Sequence, residues 1–201
     1  SKFIPVSNDG LHRIHYKGGA DVVALYLRNN PKSRLFDGRS LILGGSHASN
    51  YNLPGSLVGD LSAILIENIN PLANIFRVPR KGTALLSDFE VKRDRIAHET
   101  IHKNITNISG VPSWMLSVLV RVMELSGKKR LEDVWPNLEV FFHGGIAFTP
   151  YRKQYEELIA SSKMHYMETY NASEGFFGIQ DNPDDRSMLL MLDYDEFYEF
   201  I

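Results

Sequence analysis

The stretch ITNISGVPSWMLSVLVRVMELSG, residues 105–127, decides how the rest of the chain is read. Ile105 to Ser109 is an apolar, β-branched run of strand length, and the turn residues Ser109-Gly110 close it. Pro112 then stands where a first helical turn tolerates a missing N–H. The apolar-rich run that follows stops at Gly127, a residue type that ends helices because it enters the left-handed region without a Cβ clash. A strand, a glycine and a helix follow in order, and the same order recurs on both sides. Upstream, SLILGG (40–45) is a strand candidate ending in glycines. GDLSAILIENI and SDFEVKRDRIAHETIHKN read as helices, the second capped by Ser87 or Asp88. The chain opens on KFIPV, a strand candidate, then Asn8-Asp9 as cap types and a helix from about Leu11 to Leu27 that Gly18-Gly19 weakens. Downstream, LEVFFHGG is a strand, TPYRKQYEELIA a helix with Thr149 as its cap, and MHYMETY a strand. After Gly175 the runs FFGIQ, SMLLML and EFYEFI, separated by polar turns, read as antiparallel strands.

The expectation is therefore an α/β fold, a largely parallel sheet flanked by helices with antiparallel strands near the C-terminus. Residues 1–175 would form the α/β part, incomplete at its N-terminus, and residues 176–201 the start of a β-rich extension of the same domain. Sheets of this kind bind ligands outside the carboxyl ends of their strands. That edge would carry Gly44-Gly45, Ser109-Gly110, His143-Gly144-Gly145 and Asn171-Ala172-Ser173-Glu174.

Composition narrows the function classes. With 201 residues, 43% hydrophobic and 23% charged, the chain can bury one substantial core. A net charge of -2 with scattered Lys and Arg provides no basic field for a nucleic-acid backbone, so nucleic acid is not an expected partner. No window approaches about 18 uninterrupted apolar residues, so no membrane partner is expected. The sequence holds no Cys, which removes disulfides, thiolate metal sites and Cys nucleophiles and fits a cytoplasmic protein. Asn-x-Ser/Thr triplets at Asn104, Asn107 and Asn171 point weakly the other way.

HETIH, His98 to His102, matches a zinc pattern in which two imidazoles share a helical face and the Glu acts as base. A catalytic zinc needs a third protein ligand, and the acid downstream, Glu124, sits in a helix beyond an intervening strand and turn. The preferred reading of this pair is a solvated helix face, with a zinc hydrolase as a rival class.

The end-of-strand loops carry more when taken together. ITNISGVPSWM, then WPNLEVFFHGGIAFTPY, then MHYMETYNASEGFF follow the succession of adenylate-forming enzymes, and VPSWM, FFHGG and YNASEGFFGIQD resemble the auxin-responsive acyl-acid amido synthetase family, here as a fragment of a bacterial member. The resemblance implies ATP and magnesium as cofactors and a small carboxylic acid and an amino acid as substrates. It implies that Tyr170, Asn171, Ala172, Ser173, Gly144 and Gly145 bind the nucleotide, with Tyr170 against the adenine and Ser173 at the α-phosphate. It further implies that Glu174 holds the metal, with Glu174 and Ser173 the catalytic pair. Hard divalent cations do take a carboxylate together with substrate phosphates. Val111, Trp114, Met115, Phe142 and Ile146 would line the acyl pocket, although buried Met and aromatic residues are most often simple packing. The family's phosphate loop would precede KFIPVS, with Lys2 as its last residue, and the ribose-binding Asp and C-terminal lid would follow residue 201. The fragment is accordingly expected to be inactive by itself and to self-associate through truncated edges. The alternative is a non-catalytic nucleotide- or ligand-binding module of the same fold.

Overall fold

Ser7 opens the first helical segment, its Oγ accepting from the Gly10 amide at 3.0 Å, the bond by which a cap satisfies an otherwise unpaired N–H. The computed structural model describes residues 3–49 and 54–200. From that cap, α1 (Asn8–Gly10) continues through a π-helical segment, Leu11–Tyr16, into α2 (Lys17–Asn29). Of the two glycines that interrupt the helical pattern, Gly18 serves packing, since a Cβ on it would stand 2.4 Å from Cδ2 of Phe176, whereas Gly19 faces open space. Only a glycine lets α2 lie this close to the sheet.

The elements that follow are β1 (Arg39–Ile42), β2 (His47–Ser49), β3 (Leu57–Gly59), α3 (Leu61–Asn68), β4 (Arg77–Val78), α4 (Lys81–Ala84) and α5 (Phe89–Thr100). After them come β5 (Ile105–Gly110), α6 (Pro112–Ser126), β6 (Val140–Gly144), α7 (Thr149–Leu158), β7 (His165–Ala172), β8 (Gly175–Ile179) and β9 (Leu189–Leu190). The main sheet has the order β4-β1-β5-β6-β7-β8-β9. It is parallel from β4 to β7 and antiparallel from β7 to β9. Strand–helix–strand crossovers impose the parallel part, and short turns permit the antiparallel part.

Both faces of the sheet are covered. Leu41, Ile108 and Phe141 pack with Ile96 of α5, Met115, Leu119 and Val122 of α6 and Tyr155 of α7. On the other face Val140, Phe142, Met167 and Phe176 pack with Val22 and Tyr26 of α2 and with Tyr194. The alternation along β6, with Val140 and Phe142 on one side and Phe141 on the other, is the period of two that a strand buried on both faces must show. Gly127 closes α6 at φ 64, and Asp88 caps α5 by accepting from the Val91 amide at 3.0 Å.

Several elements differ from the sequence reading. Residues 3–7 form no strand: Phe3 is exposed, and Pro5 has no amide to give a ladder. EFYEF likewise forms no strand, its Phe197 and Phe200 lying open to solvent. Of SMLLML only Leu189–Leu190 pairs, and it does so with β8. Thr149 is the first residue of α7 rather than its cap; Phe148 holds the cap position and makes no side-chain cap bond. The small antiparallel pair β2–β3 and the short edge strand β4 carry too little pattern to be read from sequence. Ser1 and Lys2 lie outside the described residues.

Candidate functional site

Register brings the carboxyl ends of the parallel strands to one edge. Ile42 lies opposite Ser109, Gly110 opposite His143, and Gly144 opposite Thr169. Gly144 is required there, since a Cβ would stand 2.4 Å from the Thr169 carbonyl oxygen. Gly145 follows at φ 82, and a Cβ on it would touch Cγ2 of Val111 at 3.4 Å. The glycine loop after β6 thus sits between the end of β7 and the start of α6.

β7 turns into β8 through a tight hairpin in which Ala172 pairs with Gly175, leaving Ser173 and Glu174 as the turn. A register shift between Tyr170 and Asn171 interrupts the ladder just before it, the kind of bulge that re-aims side chains at a sheet edge. Tyr170 is 59% exposed, its ring 5.1 Å from that of Phe177. Glu174 is exposed, and Asn171, Ala172 and Ser173 are half-buried.

The residues expected to line an acyl pocket divide between surface and core. Trp114 and Ile146 are each 39% exposed at the same edge, and Trp114 lies 6.0 Å from the ring of Phe89. Met115 is fully buried in the core beneath α6, whereas Phe142 belongs to the core on the opposite face. The structure therefore brings Val111 and Gly145 together, with Ile146 next in the same loop, while Met115 and Phe142 lie in the cores on separate sides of the sheet.

His143, the residue before the two glycines, has an unusual setting. The side chain is 2% exposed, neither ring nitrogen has a partner among the described residues, and the ring stacks on Phe148 at 4.2 Å. Burial, with a smaller contribution from Arg152, pushes the imidazole down to about 3. Glu168 is its cross-strand neighbour in register. At the end of β1, buried Lys92 donates to the carbonyls of Gly44 at 3.1 Å and Gly45 at 2.8 Å. Desolvation lowers the Lys92 pKa, and Asp60 opposes that shift.

The HETIH residues do not form a shared face. α5 ends at Thr100, so His102 lies past the helix that would hold it in register with His98. His98 bonds the Asp94 carbonyl at 2.8 Å, while Glu99 accepts from the Arg80 amide and the Thr83 hydroxyl and so caps α4. Among the described residues no group of three or more His, Cys, Asp or Glu side chains could hold a metal ion, and no helix is long and apolar enough to cross a membrane.

The GH3 family N-terminal domain matches residues 1–164. The chain belongs to the GH3 family. Its structure is also similar to that of a GH3.15 acyl acid amido synthetase, with a TM-score of 0.67 at 12% sequence identity. The likeness covers 94% of this chain and 43% of that one, so the GH3 chain spans less than half the length of the solved relative. At that identity the match speaks for the fold, and the fold it speaks for is the parallel sheet with its antiparallel extension. No curated protein matches the sequence.

Proposed function

We propose that the chain is part of an ATP-dependent acyl-acid amido synthetase, and that the carboxyl edge of β5, β6 and β7 is its adenylation site. The observation that carries this reading is the pairing of Gly144 with Thr169, which sets the Gly144-Gly145 loop beside the Tyr170–Glu174 hairpin in a chain of the GH3 family. Exposed Tyr170 offers a face for adenine, the Gly144-Gly145 backbone admits close approach, and the Ser173 hydroxyl at the turn is placed for an α-phosphate. Val111, Trp114 and Ile146 offer apolar surface beside the loop for the acyl group.

The donor set fits a magnesium ion that arrives with nucleotide. Glu174, an exposed carboxylate next to the Ser173 hydroxyl, would be the residue that holds it, since magnesium is commonly bound through one or two carboxylates rather than a cage of several acids. When bound, the ion neutralises phosphate charge. The residues themselves bind and orient: the substrate carboxylate attacks the α-phosphorus of ATP and releases pyrophosphate, and an amino acid amine then displaces AMP to leave an amide. No side-chain nucleophile takes part, so positioning supplies the catalysis.

Acid-dependent exchange of pyrophosphate into ATP by the complete protein, screened across carboxylic acids, tests the proposal. Exchange with at least one acid is expected, and Glu174→Ala should abolish most of it while shifting stability by no more than about 0.5 kcal/mol. No exchange with any acid would favour a non-catalytic module of the same fold. The 201 residues alone should bind ATP only weakly, because a stacked aromatic contributes about 1–3 kcal/mol and a millimolar site needs about 4 kcal/mol.

A further inference from the structure

The opposite edge of the sheet holds a second feature that the reaction does not use. The segments entering β1, β4 and β5 enclose an open cavity of about 390 Å³. Phe36, Ile75 and Phe76 form its apolar wall and are 61%, 56% and 50% exposed. Large apolar side chains this open at one place mark a binding surface more often than chance exposure. Around them stand Arg39, His102 and Lys103, whose side chains have no hydrogen-bond or ion-pair partner among the described residues.

The floor between these groups is held firmly. Asn104 donates from Nδ2 to the Asp37 carbonyl at 3.1 Å and accepts at Oδ1 from Asn137 at 2.9 Å. The Arg39 amide bonds the Asn104 carbonyl at 2.8 Å. The lining also includes the carboxylate of Asp37, which would oppose an anion, but Arg34 Nε donates to its Oδ2 at 2.6 Å and takes up its charge. Two permanent cations, a histidine and three apolar side chains therefore face one space with no acid left unpaired in it.

We propose that this cavity binds a small apolar carboxylate, with the ring or chain against Phe36, Ile75 and Phe76 and the carboxylate between Arg39 and Lys103. Charge complementarity selects the class. A second copy of the chain would bring the same cations to meet these, and a neutral apolar ligand would leave them unused. The volume falls in the range of small-molecule sites, about 300–1,000 Å³, and a guanidinium is the group best shaped for a carboxylate. The site lies across the full length of the strands from the proposed adenylation edge, so it is distinct from any acyl pocket there.

Titration of the isotope-labelled chain with 1-naphthaleneacetate, followed by amide NMR shifts, tests this. Saturable shifts are expected at Gly38, Phe76 and Lys103, with a dissociation constant of about 1 mM or tighter. Replacing the acid with the neutral 1-naphthaleneethanol should weaken binding about tenfold or more, as should the double variant R39A/K103A, because charge-assisted bonds carry the selectivity. The neutral-ligand arm needs no variant and stands even if the double variant folds poorly. Equal binding of acid and alcohol would overturn the proposal and identify the wall as a general apolar contact surface. Shifts confined to the Gly144-Gly145 loop and the Tyr170 hairpin would overturn it in favour of a single site, as would the lack of any saturable shift to about 10 mM. None of these outcomes depends on whether the complete protein exchanges pyrophosphate.

Discussion

His143 should make the protein lose stability in mild acid, and by an amount the structure sets. The imidazole is buried against Phe148 with both nitrogens unpartnered among the described residues, and its folded pKa falls from 6.5 to about 3. Well above 6.5 neither the folded nor the unfolded chain binds this proton, and the residue adds no pH dependence. Below that value the unfolded chain takes up the proton first, so acid favours unfolding, and the loss grows until the folded pKa is reached. At about pH 5 the unfolded imidazole is favoured roughly thirtyfold, which is about 2 kcal/mol, a large share of an ordinary domain's stability. His143→Phe keeps an aromatic ring against Phe148 and removes the titration. Urea denaturation of both proteins at about pH 7 and pH 5 isolates the effect, because His15, whose pKa burial also lowers, and every other group are common to both. The variant should lose about 2 kcal/mol less than the parent over that interval. Parallel stability curves would refute the reasoning, and would mean that the folded imidazole finds a partner that stabilises its charged form.

Two further substitutions test how the sheet is held. Gly18→Ala should destabilise by about 1–3 kcal/mol through overpacking against Phe176, although the same change at an open helical position would stabilise by up to about 1 kcal/mol; an unchanged or raised melting temperature would refute the close approach. Lys92→Met should cost about 1–3 kcal/mol by leaving the Gly44 and Gly45 carbonyls without their donor, and hydrogen exchange should speed up between residues 43 and 46; unaltered protection there would show that the lysine does not hold the loop.

Much of the fold could be read because two signals agreed. In 105–127 the β-branched run, Pro112 and Gly127 each mark a boundary, and each boundary follows from backbone chemistry alone, a missing N–H or a tolerated left-handed residue. KFIPV and EFYEFI carry apolar residues but lack that second signal. Apolar content shows that a segment has something to bury; a strand also needs a partner with free amides and carbonyls, and nothing in the residues themselves names one. β2, β3 and β4 fail in the reverse sense: their pairing is real, but two or three residues are too few to show a period. Gly18 was legible as a weak point and illegible as a contact, since its use depends on Phe176, far along the chain and beyond every crossover of the parallel sheet.

The same distinction governs the candidate site. Gly144, Gly145 and the Tyr170–Glu174 turn could be found because each ends a strand, and parallel strands bring their carboxyl ends together whatever lies between them. His143 could be named but not weighed: its place one residue before the glycines does not show its burial, which the rings of Phe141 and Phe148 accompany and which, with Arg152, lowers its pKa. The acyl-pocket residues show the limit most plainly. Met115 follows Trp114 directly, yet a helix turns each residue by about 100°, which sends one to the surface and the other into the core. Phe142 and His143 are likewise adjacent and face opposite sides of the sheet, as strand alternation demands. Sequence proximity to a motif therefore assigns a residue to a neighbourhood, and the phase of its helix or strand decides whether it can touch a ligand there. By that phase Trp114 is open to solvent at the edge, whereas Met115 and Phe142 are buried in the cores on opposite faces of the sheet.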